Sequence, residues 1–442
     1  MGKRLFALCV LACAAWAQTA PVTPAAKPIT YIKAGRLFDA TNETVKTNMV
    51  IVVAGDRIQM IGTAAEIAIP ANANLVDLSK ATVLPGLIDL HTHLSARADR
   101  YDEIYNFKDT PFHNAFAAVI NARKTLAAGF TTVRDLGGPP FLAVDLRNSI
   151  NEGFIPGPRI VAAGPGISIT GGHGDLNNYA PQVRVMMFPE ERDYGIADGV
   201  DEVRKTVRAQ VKYGVDAIKI LATGGVLSRG TNPGAPQYTF EELKAAADEA
   251  HSHGRTIAAH AHGAQGIKNA ILAGIDTIEH CSFIDDEGIR LAKERGTYLD
   301  FDIYNDDYIL GKAIEFKIPQ EFVDKEKVVG RTQRENFEKA FRAGAKMTFG
   351  TDAGVYPHGD NAKQFFYMVK FGMRPAQALI AATAVSAAAV KREKDIGTLE
   401  AGKFADIIAV DSDPLKDVTA MEKVTFVMKG GKVFKEGGIV KE

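Results

Sequence analysis

Apolar runs of strand length alternate with amphipathic helical segments through the middle of the chain. The runs cover residues 84–90, 130–134, 159–163, 217–221, 256–262, 277–280, 298–303 and 346–350. Helical periodicity separates them, for example at residues 114–128, 200–213, 239–253 and 325–343. Because this alternation over so long a span is typical of one architecture, we predict an α/β fold with a (β/α)₈ TIM barrel at residues 81–392.

The two ends of the chain have a different pattern, in which short β-rich runs are joined by turn residues. These runs occupy residues 29–34, 49–53 and 57–62 before the barrel, and residues 405–410 and 424–434 after it. Gly430 and Gly431 are a hairpin-turn signal within the last of them. We therefore predict that residues 21–80 and 393–442 together form one small β-sandwich domain.

The first residues have the composition of a secretory signal peptide. Lys3 and Arg4 precede an apolar stretch, and Ala17 closes a small-x-small cleavage site. We expect residues 1–20 to be a signal peptide that is cleaved near Ala17, which exports the protein to the periplasm or the exterior. An alternative is a lipoprotein anchor at Cys13, because the residues before it resemble a lipobox.

Cysteine usage supports no disulfide in the mature chain. Cys9 and Cys13 lie within the predicted signal, so Cys281 is the one thiol that remains after cleavage. A lone cysteine can serve as a nucleophile. Cys281 directly follows a candidate metal ligand, however, and we expect it to be a small buried hydrophobic residue.

Charge and hydropathy exclude two classes of partner. The 52 basic and 53 acidic side chains balance, so we expect no nucleic-acid partner. After the signal, no stretch reaches the roughly 18 consecutive apolar residues of a membrane span. We expect a small-molecule substrate instead, and a homo-oligomeric protein.

The most informative polar residues are His91 and His93, which directly follow the first barrel run. Residues two apart in a strand point to the same face, so both imidazoles converge on one point. Neutral imidazole is a common ligand for zinc, and barrels carry their active sites where strands end. The alternative is a pair of strand histidines that water or carboxylates satisfy.

Four further polar residues lie at or near the ends of other predicted strands: Lys219, His260, His280 and Asp352. Lys219 is unusual because an ammonium in a strand interior carries a large desolvation cost. Either Lys219 pairs with an acid such as Asp216 or Asp352, or CO₂ has carbamylated the neutral amine to give a carboxylate that bridges two metal ions.

Asp352 follows an apolar run and precedes a small-residue turn, so we predict that its carboxylate faces the site. The alternative is an aspartate that caps the next helix. His260 and His262 repeat the spacing of two, and we assign His260 to metal and His262 to an outer or substrate contact. His173 lies in a glycine-rich loop, where backbone can approach a ligand closely, and we assign it to substrate.

The other histidines and motifs carry less information. His251 and His253 lie near a helix end, where we expect a structural role, and His113 and His358 are left unassigned. Gly224 and Gly225 are weak evidence for anion binding. The sequence contains no dinucleotide fingerprint, no phosphate-binding Walker A loop and no nucleophile elbow.

The set of His91, His93, Lys219, His260, His280 and Asp352 resembles that of the amidohydrolase superfamily, and residues 397–406 resemble its return segment. Within it, the chain is similar to the metal-dependent prolidase-like branch, which includes Xaa-Pro and related dipeptidases and ochratoxin-hydrolysing amidases. The strand-four lysine favours this branch over single-metal deaminases and imidazolonepropionases. The likeness covers nearly the whole mature chain.

The resemblance implies two divalent metal ions, Zn²⁺ in our prediction. It assigns His91 and His93 to the more buried ion, His260 and His280 to the second, carbamylated Lys219 to both, and Asp352 to a place beside the first. It also implies that His173 and Tyr238 hold a substrate carboxylate.

We therefore expect a metal-dependent amidohydrolase that cleaves a C–N amide bond through a metal-bridging hydroxide, with Asp352 as proton shuttle. The expected substrate is a dipeptide of the Xaa-Pro type or an N-acyl amino acid with a free carboxylate. One alternative is hydrolysis of a non-peptide amide such as ochratoxin A. A non-catalytic barrel scaffold is a second alternative, but such relatives typically lose ligands.

Overall fold

The computed structural model describes residues 27–187 and 195–441. The predicted signal peptide, with Cys9, Cys13 and the cleavage site near Ala17, lies outside these residues. Every helix within them is too short or too polar to cross a lipid bilayer.

The strands of the described residues fall into a terminal group and a central group. The terminal strands are β1 Ile29–Leu37, β2 Lys46–Ala54, β3 Arg57–Thr63, β4 Asn74–Pro85, β12 Ile407–Val410, β13 Val424–Lys429, β14 Lys432–Glu436 and β15 Ile439–Val440. The central strands are β5 Leu87–Thr92, β6 Phe130–Asp135, β7 Arg159–Ala162, β8 Ala217–Leu221, β9 Thr256–Ala261, β10 Thr277–His280 and β11 Tyr298–Asp300.

The helices lie between the central strands and after them. They are α1 Tyr105–Lys108, α2 Pro111–Ala127, α3 Leu142–Asn151, α4 Pro181–Met187, α5 Gly199–Lys212, α6 Phe240–Ser252, α7 Ala264–Ala273, α8 Asp286–Arg295, α9 Asn305–Lys312, α10 Gln320–Arg342, α11 Lys363–Lys370, α12 Pro375–Ile380 and α13 Ser386–Ala389. A π-helical turn covers Ala381–Val385 and a 3₁₀ helix covers Val418–Lys423.

Both ends of the chain contribute to one eight-stranded sheet, in the order β15-β14-β13-β12-β4-β1-β2-β3. The two halves meet where β4 pairs in parallel with β1 and antiparallel with β12. This confirms that the two ends build one β module. Its strands form a single continuous hydrogen-bonded sheet, where the sequence predicted a sandwich.

The central strands form two parallel sheets, β5-β6-β7 and β11-β10-β9-β8. Isolated parallel bridges join their edges, from Ala163 to Ala217 and from Leu299 to Met347. The predicted eighth strand, residues 346–350, is not a regular strand, but its backbone forms hydrogen bonds to Leu299 of β11 and to Leu90 of β5. A further bridge from Thr92 to Ala353 leads back to β5. The carboxyl ends of the parallel strands therefore share one side of the molecule.

The helices match the periodicity of the sequence with small shifts at their ends. Helix α6 begins at a capping box in which the Thr239 side chain accepts from the Glu242 backbone and Glu242 bonds back to Thr239. Helix α10 begins at Gln320 rather than at residue 325, directly after Pro319, which forms no side-chain cap. This longer helix reaches across the site described below.

Cys281 is fully buried, and its thiol donates to the Ile278 carbonyl at 3.0 Å. Burial raises the pKa of the Cys281 thiol well above its ordinary value, which keeps it protonated. The expected role as a small buried residue is confirmed.

Candidate metal centre and substrate cavity

The structure brings all six predicted metal ligands to one cavity of about 1090 Å³. The six residues are His91, His93, Lys219, His260, His280 and Asp352. They come from β5, β8, β9, β10 and the segment after Met347, which are distant in sequence. The carboxyl ends of parallel strands lie on the same side of the molecule. Side chains at these ends therefore meet in one cavity.

Asp352 faces the first pair of histidines. Its Oδ1 atom lies 3.2 Å from His93 Nε2 and 3.5 Å from His91 Nε2. Ligand atoms of these three residues lie within 4.8 Å of one another, which is a spacing that one cation can bridge. The expectation that Asp352 faces the site is therefore met, rather than the alternative of a helix cap.

A second group consists of His260, His262 and His280, whose ligand atoms also lie within 4.8 Å of one another. His280 is shared with a third group that contains Asp302 and Asp352. The groups are thus linked through His280 and Asp352, so two cations held by them would be neighbours.

Hydrogen bonds on one ring nitrogen orient two of the histidines. His93 Nδ1 donates to the Gly137 carbonyl at 2.9 Å, and His260 Nε2 donates to the Gly224 carbonyl at 3.1 Å. The opposite nitrogen of each ring then carries the lone pair that a metal needs. This arrangement is typical of metal-binding imidazoles.

His280 is oriented by Asp302, a residue that the sequence analysis missed. His280 Nδ1 lies 2.9 Å from Asp302 Oδ1, which also accepts from Gln333 Nε2 at 2.6 Å. Burial opposes the charge on Asp302, but the nearby His280 and its hydrogen bond lower the carboxyl pKa to about 2. Its position in the sequence could have identified Asp302. The residue lies just after β11, as the other site residues lie at or near the ends of their strands.

Two site residues have a left-handed backbone, which is unfavourable for residues other than glycine. His280 has φ 69° and Asp352 has φ 55°. Strain of this kind concentrates at functional sites, where the surrounding structure holds it. In both residues it sets the direction of a side chain that lines the cavity.

Burial keeps most of the imidazoles neutral, as metal ligation requires. It lowers the pKa of His91 and His260 well below the ordinary histidine value, with nearby positive charge acting in the same direction. His93 differs, because its hydrogen bond to Asp352 and the charge of that carboxylate outweigh burial and raise its pKa.

Lys219 lies in this centre with only 3% of its surface exposed. Its Nζ atom has no hydrogen-bond partner among the described residues. Burial lowers the pKa of Lys219 to about 8, against the opposing charges of Glu279 and Asp352. The alternative pairing with Asp216 is wrong, because Asp216 instead binds Arg147 at 2.5 Å.

His173 lines the same cavity and packs against the second histidine group. Its ring centroid lies 4.3 Å from that of His260, and its Nδ1 shares a hydrogen bond of 2.7 Å with Ser228 Oγ. Gly225 is adjacent, and a Cβ atom there would lie 2.3 Å from the His173 ring. Gly225, one of the two glycines read as a weak anion signal, therefore makes room for His173.

The other two predicted substrate residues have different positions. His262 lines the cavity, and its Nδ1 shares a hydrogen bond of 2.8 Å with Ser282 Oγ. Tyr238 is 2% exposed, and its hydroxyl donates to the Ala197 carbonyl at 2.9 Å. The structure does not bring Tyr238 to the cavity, so a substrate contact there would require that hydrogen bond to break.

The remaining histidines have structural partners. His251 lies 2.8 Å from Asp276 and His253 lies 3.1 Å from Glu249 near the end of α6, as expected. His358 Nε2 donates to the His93 carbonyl at 3.1 Å. It therefore supports the backbone of a predicted ligand from outside the cavity.

Sequence reasoning also missed Glu279, Arg134 and Glu326. Glu279 directly precedes His280, and Arg134 is a fully buried strand residue, but neither position marks a site by periodicity alone. Glu326 lies on α10 and lines the cavity. Only the packing of that helix against the strand ends identifies it.

Known proteins resemble this chain over most of its length. Residues 82–434 match the family model described as Amidohydrolase family. The ochratoxinase of Aspergillus niger is 34% identical over 430 residues, which are 93% of this chain and 88% of the fungal protein.

Two solved structures extend this likeness to the fold. A Xaa-Pro dipeptidase with bound methionine in the active site matches at a TM-score of 0.87 and 38% identity, covering 92% of this chain and 100% of that one. A prolidase complexed with N-methylphosphonate-L-proline matches at a TM-score of 0.84 and 29% identity. The match covers 92% of this chain and 100% of the prolidase chain.

Proposed function

This chain belongs to the amidohydrolase family, and we propose that it is a two-metal hydrolase acting on the C–N amide bond of a dipeptide or N-acyl amino acid. One observation carries the proposal. The group of His91, His93 and Asp352 and the group of His260, His262 and His280 are linked through a third group that contains both Asp352 and His280. This linkage supports two adjacent cation positions in one cavity.

The donor set fits divalent metal ions. His91, His260 and His262 are buried, and burial lowers their pKa values, which keeps these imidazoles neutral. The carboxylates of Asp302 and Asp352 and the unpartnered amine of Lys219 complete the set. When bound, two such ions lower the pKa of water to near neutrality and polarise the amide carbonyl. Imidazole and carboxylate ligands favour zinc among the common ions.

The residues of the chain orient the ligands and move the proton. Asp352 has one oxygen near His91 and His93, and its Oδ2 accepts from Asn305 Nδ2 at 3.4 Å. We assign Asp352 as the group that takes the proton of the attacking water and returns it to the departing amine nitrogen. An amine leaves poorly unless it is protonated, so this transfer is essential to the reaction.

Lys219 is the proposed bridging ligand after carbamylation. The neutral amine reacts with CO₂ to form a new N–C bond and releases one proton, which converts a potential cation into a carboxylate. The lowered pKa and the unpartnered Nζ atom support this, because the neutral amine is the reactive form. The carboxylate would also satisfy a buried group that otherwise lacks a partner.

Relatives favour a substrate with a free carboxylate. The cavity holds basic side chains, with Arg97 and Arg100 on the loop after β5 and His173 on the loop after β7. The related Xaa-Pro dipeptidase and prolidase favour dipeptides for this chain. The ochratoxinase relative favours a second candidate, in which the substrate is a non-peptide amide such as ochratoxin A.

Three further expectations are part of the proposal. We propose that the two parallel sheets and residues 346–350 form a closed (β/α)₈ barrel, which the isolated bridges support. We propose that the protein is exported after cleavage near Ala17, as the composition of residues 1–20 suggests. A homo-oligomer is also proposed.

Metal analysis and a substrate screen test the function. Purified protein loaded with Zn²⁺ should hold about two ions per chain and should hydrolyse members of a library of dipeptides and N-acyl amino acids. Ochratoxin A is assayed beside them to separate the two substrate classes. Protein that retains no metal and hydrolyses nothing would contradict the proposal and favour a scaffold.

A further inference from the structure

Glu326 is a buried carboxylate that lines the cavity without a partner. It is 4% exposed, and none of the described residues forms a hydrogen bond or an ion pair with it. A buried polar group of this kind is costly unless something satisfies it. The missing partner is therefore expected to come from outside the chain.

The helix places Glu326 on the same face as residues that contact the metal centre. Glu326, Val329 and Gln333 line the cavity at spacings of three and four, which is one face of α10. Gln333 donates to the His280 carbonyl at 3.1 Å. Seven residues of helix separate Gln333 from Glu326, which is about 10 Å along the axis. A substrate bound at the centre can span this distance.

The charges near Glu326 are mostly negative. Asp302 and Asp306 act with burial to raise the pKa of Glu326 to about 8. Arg334 opposes them, but its guanidinium is already bound to Asp306 at 2.8 Å and to Asp307 at 2.9 Å. A bound cation would offset this repulsion and favour the ionised form of Glu326, whereas an anion would add to the repulsion.

Neighbouring basic side chains are also engaged elsewhere. Lys325 donates to the Ser228 carbonyl at 2.6 Å and pairs with Glu321 at 2.9 Å. Arg229 pairs with Glu103 at 2.6 Å. Neither side chain reaches the carboxylate of Glu326 in the structure.

We propose that Glu326 is a specificity-determining residue that binds a positively charged nitrogen of the substrate. This inference rests on the proposed amide hydrolysis and adds a substrate class, namely amides that carry an ammonium or guanidinium group. Its source is either the α-ammonium of a dipeptide or a basic side chain, and both offer the same N–H donors. Ochratoxin A lacks such a group, so the proposal favours peptides over that amide.

Three pairs of compounds test it, and each pair differs in one positive charge. They are Ala-Pro with N-acetyl-Ala-Pro, Lys-Pro with norleucyl-Pro, and Ala-Lys with Ala-norleucine. The zinc-loaded wild type should favour the charged member of at least one pair. Glu326→Gln should lower kcat/KM for that member by roughly 10- to 100-fold, because the amide oxygen can still accept a hydrogen bond but the negative charge opposite the cation is lost. The neutral member should change by less than about threefold.

The responding pair identifies the source of the charge. Glu335→Gln is the matched control, because Glu335 is exposed on the same helix and forms an ion pair with Arg331. Metal content and melting temperature confirm that each variant is folded. Equal losses for charged and neutral members in every pair would overturn the proposal. If Glu326→Gln does not fold, the wild type alone provides the test. The proposal is then overturned if the wild type prefers the charged compound in none of the three pairs.

Binding measurements keep this inference separate from the proposed function. If the wild type hydrolyses none of the six compounds and nothing else in the screen, the proposed function fails. Calorimetric affinities of the same six compounds for zinc-loaded wild type and Glu326→Gln then decide the role of Glu326. A charge preference that the variant abolishes supports it, and equal affinities overturn it.

Discussion

His91 Nδ1 lies 3.4 Å from Glu279 Oε2, and both residues are almost completely buried. Neither atom has a hydrogen-bond partner among the described residues. The other carboxylate oxygen of Glu279 accepts from Arg134 Nη2 at 2.8 Å. Arg134 therefore holds Glu279, and Glu279 faces the nitrogen of His91 that points away from Asp352.

Glu279→Gln is expected to weaken metal binding. Losing the carboxylate removes the group that favours a proton on His91 Nδ1, so Nε2 no longer has a fixed lone pair toward the metal. Such outer contacts typically contribute 10- to 100-fold in metal affinity. Competition with a chelator at a temperature where the variant is folded measures the change.

Glu287→Gln is the control for this substitution, because Glu287 is exposed on α8. It should leave the metal affinity unchanged. A Glu279→Gln protein that holds zinc as tightly as the wild type would show that Glu279 is only structural.

Asp352→Asn is expected to abolish turnover while metal remains bound. The amide cannot take a proton from water, and general acid–base groups contribute about 10²–10⁴ in rate. Zinc content by mass spectrometry and kcat on the best substrate are the two measurements. Retained activity would remove Asp352 from the proton transfer.

Lys219→Ala is expected to lose the bridge between the two metal ions. The truncated side chain leaves space in which a short carboxylate can take the place of the carbamate. Metal content and activity should therefore fall together, and added acetate or propionate should restore part of both. Unchanged metal content without rescue would show that Lys219 is not a ligand.

Gly225→Ala is expected to disturb the cavity through His173. The new Cβ atom would lie 2.3 Å from the His173 ring, so the ring must move away from Ser228 and His260. Overpacking of this kind typically costs about 1–3 kcal/mol. Denaturant unfolding should show the loss of stability, and KM should rise if His173 holds the substrate.

Gly234→Ala is the matched control in the same loop. The nearest atom to its added Cβ is Asn232 Oδ1 at 3.4 Å, which is an ordinary contact. Its stability and kinetics should stay close to the wild type. Equal behaviour of the two variants would argue against the steric reason given for Gly225.

Local sequence pattern was sufficient for the order of elements and for the convergence of the main candidate ligands in one cavity. Strand periodicity places His91 and His93 on one side of a strand. The rule that parallel strands end on one side gathers Lys219, His260 and His280. These inferences need only short-range geometry and the direction of the strands.

Tertiary structure decided everything that depends on contacts between distant elements. Arg134 and Glu279 are 145 positions apart, and no local pattern indicates that they pair. Tyr238 was predicted to contact substrate, but its hydroxyl donates to the Ala197 carbonyl and stays out of the cavity.

Glu326 illustrates the physical reason. Periodicity predicts which residues share a face of α10, but not which cavity that face meets. That depends on how helices and loops pack over the strand ends, where many weak contacts between distant segments determine the arrangement. The sequence by itself determined which candidate metal ligands share one end of the strands, and only the packed structure decided which other groups line the cavity beside them.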